Sequence, residues 1–103
     1  MRLEVLYFDG CPSHDELLPT LQELASEHGA ELVSTAVETP EHAEQAGFLG
    51  SPSVQVNGHD IEPGAQTRTD FGMKCRLYRS RHRQSGVPPR EWIERALREA
   101  RGA

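Results

Sequence analysis

From Leu3 to Val37 the chain runs through an apolar strand-length stretch, a helix-period stretch and a second apolar strand-length stretch. That succession restricts the fold more than any other feature. Leu3–Phe8 is nearly continuously apolar and ends at Asp9-Gly10, a turn signal, so it reads as a buried strand. Leu17, Leu18, Leu21, Leu24 and Ala25 then recur at helical spacing until Gly29 supplies a stop. Ser13 with Glu16 three residues on reads as a capping box. Pro19 falls inside this helix and should kink it, because its ring nitrogen cannot bond the Asp15 carbonyl. Glu31–Glu38 reads as the second strand, with Leu32, Val33 and Val37 as its apolar members. A strand–helix–strand unit of this kind requires parallel strands and a right-handed crossover.

The second half adds an antiparallel edge. Thr39-Pro40 opens a short helix that runs to Ala46 and stops at Gly47. Ser53–Val56 and His59–Ile61 are joined by Asn57-Gly58, which predicts a type I′ hairpin. Residues 63–87 carry Gly, Arg and Ser with little periodicity, and read as a long flap with one short element near Cys75–Tyr78. Pro88-Pro89 opens the last helix, whose apolar face is Trp92, Ile93, Ala96, Leu97 and Ala100. The expectation is one α/β domain over 1–103, ordered β-α-β-α-β-β-α. It has a mixed four-stranded sheet and a long insertion at 63–87 before the last helix.

Charge is divided unevenly along the chain. Residues 1–62 hold one base and twelve acids, a net −11; residues 63–103 hold ten bases and four acids, a net +6, within a total of −5. Two explanations fit: an anionic partner, or a basic flap lying over an acidic body of the same molecule. Aromatic residues make up 6% of the chain, too few to supply a base-stacking platform, which argues against nucleic acid. No run approaches the roughly 18 apolar residues of a membrane span. The N-terminal run carries an acid and no small-residue cleavage site, unlike a signal peptide. With two cysteines in all, this points to a reducing, cytoplasmic setting.

Chemistry concentrates at Gly10-Cys11-Pro12-Ser13-His14, where the first strand hands over to the first helix. A cysteine on a helix's opening turn meets unpaired backbone N–H groups and the positive end of the helix dipole, which favour thiolate, the reactive form. His14 could protonate a leaving thiolate or stabilise an attacking one. Lys74 and Arg76 flank the second cysteine, Cys75, a candidate resolving thiol. Arg76, Arg79, Arg81 and Arg83 could form an anion-binding strip. His28, His42, His59 and His82 are scattered and read as surface residues.

These residues resemble the thioredoxin fold in its minimal, glutaredoxin-like form, over residues 1–62 and the closing helix. Cys11-Pro12-Ser13-His14 falls at the family's C-x-x-C position, Pro19 at that of a helix-kinking proline, and Ser51-Pro52-Ser53-Val54 at the cis-proline segment. The resemblance implies a cis bond before Pro52, with that proline facing Cys11. More narrowly, Tyr7-Phe8-Asp9-Gly10-Cys11-Pro12 with Cys75-Arg76-Leu77-Tyr78 is similar to a group of small bacterial thioredoxin-like proteins. Some of that group carry selenocysteine at the position of Cys11, and some are labelled alkylmercury lyase-like. The second motif cysteine is His14 here, so Cys11 needs another thiol, from Cys75 or glutathione, to resolve a mixed disulfide.

The resulting expectation is a thiol–disulfide oxidoreductase or thiol peroxidase-like protein without a cofactor. Cys11, Cys75 and His14 would carry the chemistry, and Pro12, Ser51, Pro52 and Arg76 would contact substrate. Its partners would be a disulfide or peroxide and an external thiol reductant. Two alternatives use the same residues differently: soft-metal or mercurial binding by Cys11 and Cys75, aided by His14, and a redox-inactive interaction module.

Overall fold

The computed structural model describes residues 1–81 and 83–102; His82, read above as a surface residue, and Ala103 lie outside the described residues. The elements follow in the order β1 (Arg2–Tyr7), α1 (Pro12–His28), β2 (Glu31–Ala36), α2 (Pro40–Ala46), β3 (Ser53–Val56) and β4 (His59–Asp60). A 3-10 turn (Ala65–Thr67), β5 (Tyr78–Ser80), β6 (Arg83–Ser85) and α3 (Arg90–Gly102) complete them. Four strands form one mixed sheet in the order β2-β1-β3-β4, and β5 and β6 form a separate two-stranded ribbon.

The sheet is built outward from β1. β2 lies parallel to it, with Arg2 opposite Glu31 and Tyr7 opposite Ala36. β3 lies antiparallel on its other side, with Leu3 opposite Val56 and Leu6 opposite Ser53. Because side chains alternate along a strand, β1 sends Leu3 and Val5 to one face and Leu6 to the other. The first face packs Leu3, Val5, Val54 and Val56 against Leu17, Leu21 and Leu24 of α1 and Ile93 and Leu97 of α3. The second packs Leu6 against Val37, Ala43 of α2 and Phe48. All four residues of β3 are buried, including Ser53 and Gln55, since helices cover the sheet on both faces. The Gln55 side-chain amide meets its need by donating to the Ala46 carbonyl at 2.9 Å.

Turn chemistry follows the sequence closely. Gly29 and Gly47 end α1 and α2 in the left-handed conformation, and the Thr39 hydroxyl caps α2 by accepting from the His42 N–H at 3.0 Å. Asn57 and Gly58 take φ of 51° and 85°, as a type I′ turn requires. Asn57 Oδ1 also accepts from the Arg2 N–H at 2.8 Å, fastening the hairpin to the start of β1.

Three expectations change. No capping box forms: Cys11, rather than Ser13, is the N-cap of α1, because Pro12 fits the first helical position and starts the helix earlier. β2 ends at Ala36, two residues sooner than expected. The 63–87 segment holds more structure than one short element, namely the 3-10 turn and the β5–β6 ribbon. Among the described residues no helix is long and apolar enough to cross a membrane.

Candidate functional site

Cys11 sits where β1, after the turn Asp9-Gly10, delivers the chain to α1. Gly10 makes that turn possible with φ of 83°, a region costly for other residues. Cys11 itself keeps an extended backbone (φ −80°, ψ 108°), and no side chain caps the helix behind it. Pro12 contributes no N–H, and the His14 N–H donates to the Cys11 carbonyl at 3.2 Å. The residue is 7% exposed, between exposed Gly10 and Pro12.

The Ser51–Pro52 peptide bond is cis, the isomer implied by the resemblance. Ser51 connects the two cysteine-bearing segments. Its hydroxyl accepts from the Phe8 N–H at 3.3 Å, three residues before Cys11. Its backbone bridges Cys75: the Ser51 N–H donates to the Lys74 carbonyl at 2.8 Å, and the Ser51 carbonyl accepts from the Arg76 N–H at 3.0 Å. The segment passes so near Gly50 that a Cβ there would lie 3.0 Å from both Arg76 Cβ and the Lys74 carbonyl oxygen. Cys75 is exposed, and both cysteines are free thiols.

Along this segment the side chains alternate. Cys75, Leu77 and Arg79 face solvent, with Leu77 57% exposed, while Arg76 and Tyr78 face inward. Arg76 is only 3% exposed. Its guanidinium forms a two-pronged pair with Asp60, Nη1 to Oδ2 at 2.6 Å and Nη2 to Oδ1 at 2.9 Å. Nη1 also donates to Ser53 Oγ at 3.0 Å, Nη2 reaches Glu62 at 3.4 Å, and the group lies 4.4 Å over the Tyr78 ring. Burial works against its charge, but the Asp60 hydrogen bonds and the neighbouring acids outweigh it, so the guanidinium is held more firmly protonated than usual. Tyr78 Oη donates to the Pro52 carbonyl at 2.6 Å, and burial pushes this phenol well above its ordinary range despite Arg76 beside it. Farther out, hydrogen bonds from Arg68 and then Lys74 hold the Asp70 carboxyl below the usual carboxylate range.

Several expected site residues therefore sit elsewhere than at a substrate surface. Arg76, expected to contact substrate, is enclosed by Asp60, Ser53, Glu62 and Tyr78. Ser51 and Pro52 are buried, and both backbone hydrogen-bonding groups of Ser51 are taken by the Cys75 segment. Pro12 remains exposed. The anion-binding strip does not form as a unit: Arg76 turns in, while Arg79, Arg81 and Arg83 have no carboxylate within 4.0 Å among the described residues. His14 stacks on Tyr7, ring centroids 3.8 Å apart and 13° from parallel. Its Nδ1 lies 3.5 Å from Asp15, and its buried Nε2 has no hydrogen-bond partner, so the ring does not bond the Cys11 sulfur. Among the described residues no three His, Cys, Asp or Glu side chains gather as a metal-ligand set.

Sequence reasoning missed Asp60, Ser53 and Tyr78, which anchor the Cys75 segment. The one available signal was the local excess of arginine after residue 62. Searches for a matching family model, a similar curated protein and a similar solved structure each found none.

Proposed function

We propose that this protein is a thioredoxin-like thiol–disulfide oxidoreductase in which Cys11 is the nucleophile and Cys75 the resolving thiol. One observation carries the reading: Ser51 joins both segments, receiving the Phe8 N–H just before Cys11 and bridging the backbone of Cys75. Two free thiols are thereby held at the same end of β1, one at a helix start and one open to solvent. The Cys11 thiolate attacks one sulfur of a substrate disulfide and expels the other as a thiolate. The Cys75 thiolate then attacks the Cys11 sulfur of the mixed disulfide, releasing the second substrate thiolate and leaving a Cys11–Cys75 disulfide. Two electrons pass to the substrate, and an external dithiol returns the protein to its starting state.

The test is a pair of substitutions, assayed for turnover with a small disulfide substrate and an excess of dithiol, and for adducts with the disulfide alone. Cys11→Ser should abolish turnover, and Cys75→Ser should accumulate a Cys11–substrate adduct visible in the intact mass. Wild-type reductase rates in both variants would refute the reading.

A further inference from the structure

Arg76 is next to Cys75 in sequence yet faces the opposite way, into a buried cluster made by residues from three other places in the chain. Asp60 comes from β4, Ser53 from β3 and Tyr78 from β5, with Glu62 just beyond β4. The backbone of the same residue donates to the Ser51 carbonyl. One residue thus fixes its segment twice, through the main chain to the Ser51–Pro52 turn and through the guanidinium to the far edge of the sheet. A guanidinium suits that task better than an ammonium, because its planar fork matches a carboxylate at two points and so sets orientation as well as distance.

Resting on the redox reading above, we infer that Arg76 is a positioning residue for Cys75. Its buried pair with Asp60 holds the resolving thiol beside Ser51, whose hydroxyl receives the Phe8 N–H ahead of Cys11. The energetic logic is that of effective concentration. A thiol on a loosely tethered loop meets its partner rarely, and one on a fixed segment meets it far more often. The pair need not add stability for this role, since a buried ion pair and an apolar replacement of similar volume are often equally stable. Positioning and stability can therefore be separated by experiment.

The measurement is the equilibrium of the Cys11–Cys75 disulfide against a glutathione redox buffer, which reads the effective concentration of one thiol at the other. Arg76→Met and Asp60→Asn should each lower it at least tenfold, and Arg76→Lys should fall between these and the wild type. Since a lone buried charge can unfold the chain, the paired variant Arg76→Met with Asp60→Leu is measured too. It should melt near the wild-type temperature and still show the tenfold loss. Cys11 alkylation in a Cys75→Ser background should be the same with Arg76 or Met at position 76, which localises the effect to Cys75. A folded paired variant with wild-type effective concentration would overturn the positioning role while leaving the redox pair intact. Failure of the wild type itself to form the disulfide would instead overturn the redox reading, and the positioning role with it.

Discussion

At the scale of single residues, this molecule buries Arg76 and Tyr78 and gives each a hydrogen-bond partner. Tyr78 illustrates the consequence. Its phenol is pushed up mainly by burial, so as pH rises the unfolded chain loses this proton near pH ~10 while the folded chain keeps it. The folded state then binds more protons than the unfolded one, and stability falls with rising pH, by about 1.4 kcal/mol per pH unit above that point. The contribution is fully present below the unfolded value and disappears on the alkaline side. Tyr78→Phe should cost about 1–2 kcal/mol at neutral pH, because the buried Pro52 carbonyl loses its donor. It should also flatten the alkaline decline, which urea unfolding between about pH 9 and about pH 11 would read. Neither Tyr78 nor Arg76 was legible as a buried anchor. Arg76 reaches partners 14 to 23 residues away, and no local pattern reports contacts of that range.

At the scale of elements, what could be read from the sequence divides by how local the cause is. β1, α1, α2 and the Asn57-Gly58 hairpin follow from periodicity, caps and turn residues within a few positions of each other. The β5–β6 ribbon did not, because Tyr78-Arg79-Ser80 and Arg83-Gln84-Ser85 offer almost no apolar alternation. Its placement comes from tertiary contact instead. Gly86, just past β6, packs so closely on Ser13 at the start of α1 that a Cβ would press on the Ser13 side chain and force its hydroxyl to turn away. Gly86→Val should therefore lift the ribbon from the helix, seen as faster amide hydrogen exchange over β5 and β6 and a lower melting temperature. Adding Ser13→Gly removes the obstructing side chain and should restore much of the protection. Unchanged exchange in Gly86→Val would show that the ribbon is held elsewhere.

At the scale of the whole molecule, part of the charge asymmetry closes on itself. Arg76 pairs with Asp60 and Glu62, Arg68 with Glu62 and Asp70, and Arg90 with Glu23, Glu27 and Glu94. The first 62 residues supply all four strands of the main sheet, but not the whole of the core that covers it. Ile93 and Leu97 of α3 complete the first core face, and Arg76 compensates the acids around β4. A chain ending at Glu62 should lack a cooperative thermal transition by circular dichroism, whereas the full chain melts in one step. The alternation along residues 75–79 bears on this architecture in another way. With the fastenings on the hidden side, Leu77 and Arg79 on the visible side are released from structural duty. Lineages or engineers could rewrite those two positions, and with them whatever the molecule greets beside its outer sulfur, while the scaffold underneath stays as it is.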